Sequence, residues 1–209
     1  MFKGFLSWFV ILCLLLALLL YIYGRKTLSN MTTAQTAAYV ESTTDSQNWV
    51  DYVPSSNKFK AKFPKLPQHA VDRSKDTKTQ ELKQYEMYVS ENNGQVFMIS
   101  VISFLEQKHG KDDEIIIKNV IDDMVSSNSG NKLEKIQFED YKGLKDAIFV
   151  ISNNNYSISG LAFVKSNQLY VLSTLAKTPE ESKKEFDYFI KSFDLNKNAT
   201  LPTHNEKIQ

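Results

Sequence analysis

The sequence predicts an α+β domain with helices on both faces of its sheet, attached to one N-terminal membrane helix. The first observation is an uncharged apolar run near the N-terminus. The second is a strand, Val96–Leu105, that is apolar on both of its faces and therefore needs cover on both sides of the sheet. The third is a pair of amphipathic helical patterns, beginning near Asp112 and near Thr178, that can supply this cover.

The run FLSWFVILCLLLALLLYIY, from Phe5 to Tyr23, predicts a transmembrane helix. At about 19 residues it spans roughly 28 Å as a helix, which is close to the thickness of the hydrocarbon core of a bilayer. Aromatic residues near both ends suit the two membrane interfaces. The predicted membrane-contacting residues are Phe5, Trp8, Leu15, Leu19, Tyr21 and Tyr23.

A cleaved secretory signal is the alternative interpretation of this run. Such a signal has a shorter apolar core, followed by small residues at the cleavage site. Here the core is longer, and Tyr21–Tyr23 and then Arg25-Lys26 stand where cleavage would occur. We therefore expect residues 1–26 to form an uncleaved anchor.

The charges that flank the run nearly balance under the positive-inside rule, with Lys3 on one side and Arg25 and Lys26 on the other. A short N-terminal tail is easily kept in the cytoplasm while the long C-terminal part is exported. We therefore expect the domain to be extracytoplasmic. The opposite orientation, with Arg25 and Lys26 in the cytosol, stays open.

The rest of the chain divides into three parts. Residues 27–48 are rich in Ser, Thr and Ala without core-forming periodicity, which predicts a linker or a marginal continuation of the helix. Residues 49–195 carry the patterns of one globular domain, and residues 196–209 form a polar tail.

Charge and cysteine content exclude several classes of function. The chain has 25 basic and 24 acidic residues, so no strong field attracts nucleic acid and we expect no nucleic-acid partner. The single cysteine, Cys13, lies inside the apolar run after Ile11-Leu12, which disfavours a lipid attachment site. Outside this run there is consequently no disulfide, thiolate metal ligand or cysteine nucleophile.

The segment KFKAKF, residues 58–63, alternates strictly and predicts a strand with one apolar and one basic face. The inward residues are Phe59, Ala61 and Phe63, and the candidate surface-contact residues are Lys58, Lys60, Lys62 and, beyond the strand, Lys65. These lysines suit contact with anionic lipid headgroups. The alternative, which we favour, is that they keep an edge strand from pairing with another chain.

Several further elements follow in order. A strand over Thr79–Ser90 leads into Asn92-Asn93-Gly94, a strong hairpin signal, and then into the two-sided strand. After the first helix the predicted strands are 132–138, 144–152, 156–165 and 168–176. Thr178-Pro179-Glu180-Glu181 then provides a capping hydroxyl, a proline at the first helical position and a glutamate three residues after the cap.

Motifs for catalysis are absent from the sequence. His69, His109 and His204 are far apart, with no zinc-ligand spacing, no GxSxG motif and no phosphate-binding glycine loop. The pairs Asp112-Asp113 and Asp122-Asp123 suit a helix N-terminus and a solvated helix face. We therefore expect no enzyme activity, cofactor or metal. Two alternatives are a hydrolase that uses His69 or His109, and a carrier of a small apolar ligand.

A family resemblance rests on two segments and the order of elements between them. FKAKFPKLP at 59–67 is followed by a hairpin, a helix, Gly143 opening a strand and LYVLSTLAKTPEESKKEFDYFIKSFDL at 169–195. Over about residues 52–195 this order resembles the PsbP/Mog1-like domains of small bacterial exported proteins and lipoproteins, although the chain lacks a lipobox. The resemblance implies an α/β/α sandwich with two helices and a mainly antiparallel sheet of six to seven strands.

The resemblance transfers no catalytic residue, since members of the family serve as binding, assembly or accessory factors. We therefore expect a single-pass protein of a bacterial inner membrane. Its N-terminal helix contacts membrane lipid, and its non-catalytic periplasmic domain binds a partner protein.

Overall fold

The computed structural model describes residues 48–75, 81–105 and 112–196. Within them are two helices, α1 (Asp113–Ser126) and α2 (Pro179–Ser192). The strands are β1 (Val50–Tyr52), β2 (Phe59–Phe63), β3 (Gln68–Lys75), β4 (Leu82–Asn92), β5 (Gln95–Phe104), β6 (Lys132–Tyr141), β7 (Leu144–Ser152), β8 (Ser157–Lys165), β9 (Gln168–Ala176) and β10 (Asp194–Leu195).

The predicted anchor, almost all of the predicted linker and all but the first residue of the predicted tail lie outside the described residues. In the part of the chain that is described, neither helix has the length and apolar character needed to cross a membrane. The anchor therefore stays a prediction.

The main sheet has seven strands in the order β3-β4-β5-β9-β8-β7-β6, and every neighbouring pair is antiparallel. Two-residue turns join the strands of two of its hairpins. Asn93-Gly94 connects β4 to β5 and Lys142-Gly143 connects β6 to β7, all with positive φ, as a two-residue turn between twisted strands requires. The prediction of two helices and a mainly antiparallel sheet is thus confirmed.

Two apolar cores lie on the two faces of this sheet. The first packs β2 and α2 against one face, with Phe59, Phe97 and Phe189 fully buried. The second packs α1 against the other face, with Ile117 and Phe149 fully buried. This arrangement confirms that both faces of the sheet carry a helix.

Strand β5 contributes to both cores. Phe97, Ile99 and Val101 enter the first core, and Ile102 enters the second. Alternate side chains of a strand point to opposite faces, so a strand with apolar residues on both faces packs against two layers.

Both helices begin where the sequence predicts. The Asp112 side chain accepts a hydrogen bond from the Glu114 N–H at 3.0 Å, and the Thr178 hydroxyl accepts one from the Glu181 N–H at 3.3 Å. Each cap satisfies a backbone donor that has no partner within its helix.

A close approach across β7 and β8 explains one glycine in the second core. Gly160 is paired with Phe149, and a Cβ at Gly160 would lie 2.1 Å from the ring of Phe149. The fully buried ring therefore occupies the space over the glycine. Only the absence of a side chain at position 160 permits this packing.

Strand β2 corrects part of the sequence prediction. It lies between β1 and β10 in a separate three-stranded sheet and is the middle strand there. The interpretation of its lysines as protection of an edge strand is therefore wrong. Among the described residues the two outer strands of the main sheet are β3 and β6, and β3 was not predicted from the sequence.

Candidate functional site

Lys58 does not point outward, contrary to the prediction. It lies at a bend before β2, after Asn57 with a φ of 52°. It therefore does not follow the alternation of the strand. Its side chain is buried, and Nζ lies 2.5 Å from Oε1 of Glu86 on β4.

The other predicted surface lysines differ from one another in exposure and in hydrogen-bond partners. Lys60 is exposed, while the half-buried Lys62 donates to Oδ2 of Asp51 at 2.9 Å, a hydrogen bond that raises the pKa of Lys62. Lys65 is exposed and its backbone N–H donates to Ser90 Oγ at 3.1 Å. Contact of Lys60 and Lys65 with lipid or protein stays a prediction.

Glu86 is the centre of a buried polar network. Its carboxylate accepts hydrogen bonds from Lys58, from the Tyr88 hydroxyl at 2.9 Å and from Gln84 Nε2 at 3.0 Å. Burial alone would raise the pKa of Glu86, but Lys58, Tyr88 and Gln84 together hold it below its usual range. The carboxylate is therefore ionised and accepts hydrogen bonds from three side chains.

A second chain of hydrogen bonds lies beside the first. The Tyr170 hydroxyl donates to Gln168 Oε1 at 2.6 Å, and Gln168 Nε2 donates to Ser103 Oγ at 3.0 Å. All three side chains are buried, and burial followed by the negative charge of Glu86 raises the pKa of Tyr170. The two networks together form a polar region within the first core.

This polar region borders a cleft of about 560 Å³. The β6–β7 turn, the β8–β9 turn and the β10 segment form its walls. Three lysines line the cleft: Lys58, Lys142 and Lys165. The apolar part of the lining is contributed by Tyr141, Leu144, Tyr170, Phe193 and Leu195.

Two side chains attach the β6–β7 turn to the end of α2. Lys142 Nζ donates to the Phe193 carbonyl at 2.7 Å, and the Tyr141 hydroxyl donates to the Ile190 carbonyl at 2.9 Å. Burial, followed by the charges of Asp194 and Asp146, raises the pKa of Tyr141 to about 12. The phenol therefore stays protonated and keeps its donor at neutral pH.

Asp146, close to this turn on β7, is a buried carboxylate that was not among the residues predicted from the sequence. It is 2% exposed, and its Oδ1 has no hydrogen-bond partner among the described residues. Burial, followed by the charges of Glu139 and Asp140, raises the pKa of Asp146 to about 6. An acidic residue directly before the apolar run AIFVI, in the strand LKDAIFVIS, is the sequence signal that could have identified it.

The histidines and acidic pairs show no catalytic arrangement in the described part of the chain. The ring of His69 stacks on Tyr88 with centroids 4.4 Å apart, while His109 and His204 lie outside the described residues. Asp122 pairs with Lys118 at 2.7 Å on the surface of α1. Within 48–75, 81–105 and 112–196, no group of three or more His, Cys, Asp or Glu residues could hold a metal ion.

The outer strand β6 is the other candidate binding surface. Among the described residues only β7 pairs with it. Leu133, Ile136 and Phe138 are paired with Ile151, Phe149 and Ala147, which all belong to the second core. Leu133 and Phe138 are each 38% exposed, so apolar surface continues from this core to the edge of the sheet.

Comparisons with known proteins bear on the fold alone. No family model and no curated protein matches the sequence. Among solved structures, the chain is similar to cyanobacterial PsbP (CyanoP) from Synechocystis sp. PCC 6803, with 8% identity and a TM-score of 0.49 over 79% of this chain and 99% of that chain.

A second similar structure is a crystal structure from Bacteroides thetaiotaomicron VPI-5482 at 1.50 Å resolution. The identity is 12% and the TM-score 0.34, over 72% of this chain and 49% of that chain. At these identities neither similarity assigns a function, and the PsbP/Mog1-like relationship stays a prediction.

Proposed function

We propose that this chain is a single-pass, membrane-anchored binding or assembly module whose extracytoplasmic domain recruits a partner protein through strand β6. The observation that carries this proposal is the position of β6 at an edge of the seven-stranded sheet, where β7 is its one paired strand within 48–75, 81–105 and 112–196. An exposed edge can accept an extended segment of another chain as an additional strand.

The backbone of β6 has donors and acceptors available for such a segment. Tyr141 and Leu144 close a two-residue turn, so their backbone groups bond to each other. Because bonded and non-bonded pairs alternate in an antiparallel ladder, the N–H groups of Phe138 and Ile136 are directed away from β7. A partner strand would meet these groups.

The side chains of β6 indicate the kind of segment that fits. Its apolar residues lie on the face that carries α1, where the second core already lies. A partner strand with apolar residues on that same face would extend this core outward. Leu133 and Phe138 are each 38% exposed, so such a strand would remove further apolar surface from water, at about 25 cal/mol per Å².

The alternative interpretation is that β6 is a protected edge. Five of its residues are charged: Lys132, Glu134 and Lys135 lie near the bulge, and Glu139 and Asp140 lie near the turn. The ladder also shifts register between Leu133 and Lys135. Charges and bulges commonly prevent pairing at an edge. Because the strand is ten residues long and two apolar side chains are partly exposed, we favour a binding role.

Crosslinking in the native membrane tests the role of β6. A photo-crosslinking amino acid is placed in the full chain at Gln137 on β6 or, as the control, at the exposed Lys184 on α2. We expect a discrete protein product from position 137 only. Phe138→Ser should remove that product, while Val71→Ser, at an exposed apolar residue of the opposite edge strand β3, should leave it.

Identical products from positions 137 and 184, or a product that Phe138→Ser leaves unchanged, would contradict the proposal.

Two further measurements test the anchor and its orientation. Mass spectrometry should find Met1–Tyr23 retained in the mature protein, and a terminus beyond residue 25 would refute the anchor. A C-terminal reporter should be active only outside the cytoplasm.

The sequence resemblance to PsbP/Mog1-like domains agrees with this proposal, since members of that family act as binding, assembly or accessory factors. The bacterial inner membrane and the periplasmic location belong to the same proposal. Membrane lipid is then the partner of the N-terminal helix, and an unidentified protein is the partner of the domain.

A further inference from the structure

We propose that the cleft beside β10 binds a small organic anion that has one negative charge and an apolar body. Its volume of about 560 Å³ lies within the range of roughly 300–1,000 Å³ that is typical of small-molecule sites. This site is separate from β6's outer edge, so the inference stands apart from the proposed protein partner.

The charges around the cleft argue for a monoanion. Lys58 is compensated by Glu86 at 2.5 Å, and Lys142 lies 3.9 Å from the carboxylate of Asp194. Lys165 is exposed and makes no hydrogen bond or ion pair with the described residues. One ammonium group therefore stays available for a ligand at the rim.

The floor of the cleft argues for an apolar body. Phe193 and Tyr170 are buried members of the first core, with ring centroids 6.0 Å apart, and Leu144 packs against the same core. These side chains offer apolar and aromatic surface below the cationic rim. A ligand pocket of this kind uses its apolar surface for affinity and a few polar groups for orientation.

Hydrogen bonds hold the walls of the cleft in place. Lys142 binds the Phe193 carbonyl, and Asn196 Nδ2 donates to the Asn57 carbonyl at 2.9 Å. In the other wall, Asn167 Nδ2 donates to the Phe104 carbonyl. Because these contacts fix the walls of the cleft, little ordering free energy opposes binding.

A pair of ligands with the same shape and different charge tests the inference. The probes are 2-naphthoate and its neutral amide, 2-naphthamide. Each is titrated against the full chain in lipid nanodiscs and followed by saturation-transfer difference NMR, with empty nanodiscs as the blank. The variant is Lys165→Glu, and the matched control is Lys132→Glu, an exposed lysine at the far end of β6.

We expect saturable binding of 2-naphthoate that Lys165→Glu weakens about three- to tenfold, as reversal of one partly solvated charge should. Lys132→Glu should leave this affinity unchanged, and Lys165→Glu should leave the binding of 2-naphthamide unchanged. The inference is overturned if 2-naphthoate does not saturate. Equal weakening by both lysine variants, or equal affinity of the wild type for the two probes, would overturn it as well.

Discussion

The ammonium group of Lys58 lies 2.5 Å from the carboxylate of Glu86, and both side chains are less than one-tenth exposed. The two residues are 28 positions apart, so the ion pair joins the segment before β2 to strand β4 of the main sheet. Removing one member of a buried ion pair leaves the other charge buried without compensation.

We predict that Lys58→Met lowers the free energy of unfolding by about 3–5 kcal/mol. The control is Lys62→Met, which removes the less buried ion pair with Asp51 and should lower the free energy of unfolding far less, because solvent screens such a pair. Chemical denaturation of both variants measures the difference. The double variant Lys58→Met/Glu86→Gln should recover part of the loss, and equal costs for Lys58→Met and Lys62→Met would contradict the prediction.

The pKa of Asp146 predicts a pH dependence of stability. Folding raises this pKa from 3.8 to about 6, so the contribution of Asp146 to stability is complete below about pH 4 and is lost as the pH rises to about 6. A pKa shift of about two units corresponds to a change of about 3 kcal/mol in the free energy of unfolding. Asp146→Asn should therefore be more stable than the wild type at pH 7, with the difference vanishing near pH 4.

Unfolding curves between pH 4 and pH 7 measure this difference between wild type and variant. The wild type must be compared with the variant because Glu86 has the opposite effect on stability. The pKa of Glu86 is lowered on folding, so its contribution to stability is lost on acidification. The control is Thr178→Ala, which changes no titratable group and should differ from the wild type by a constant amount. A constant difference for Asp146→Asn would refute the assignment.

The contact between Gly160 and Phe149 predicts that a single methyl group destabilises the second core. Gly160→Ala places Cβ within the space of the buried ring and should cost about 1–3 kcal/mol, the usual effect of overpacking. A double-mutant cycle with Phe149→Leu measures the coupling. The cost of Gly160→Ala should be smaller in the Phe149→Leu background, and an unchanged cost would show that the ring is not its cause.

The N-terminal cap of α2 predicts a smaller effect. Thr178→Ala removes the acceptor of the Glu181 N–H and should lower the free energy of unfolding by about 1 kcal/mol. Thr178→Ser keeps the hydroxyl and should stay close to the wild type. Thermal unfolding of the two variants makes the comparison, and equal losses would assign the effect to packing of the threonine methyl group.

Elements with strong local signals were predicted correctly from the sequence. The cap at Thr178, the turn at Asn93-Gly94 and the apolar residues on both faces of β5 are each set by residues close in sequence. Strand β3, by contrast, contains QHAVDRSK, whose mixed polarity shows no clear apolar face. It forms a strand because its backbone pairs with β4. A local sequence pattern does not show which strand will pair with it.

The candidate site was predicted less well for the same reason. Alternation placed Lys58 on the outer face, but the strand begins only at Phe59 and the residue before it turns toward Glu86. The cleft combines segments that are distant in sequence, such as Lys142, Lys165 and Asn196. No local pattern links these segments, so the cleft emerges only from the packing of the whole domain.

The strand order has a consequence for how the chain folds. On each side of the β5–β9 pair, neighbours in the main sheet are also neighbours in sequence, so two meanders can form from local contacts. The β5–β9 junction brings together Ser103 and Gln168, which are 65 residues apart. Because loop closure opposes such a junction, we expect its docking to limit the folding rate. The three-stranded sheet also needs β10, which pairs with β2, and Asn196 next to β10 donates to Asn57 across 139 residues. A nascent chain therefore cannot complete the domain until β10 has left the ribosome.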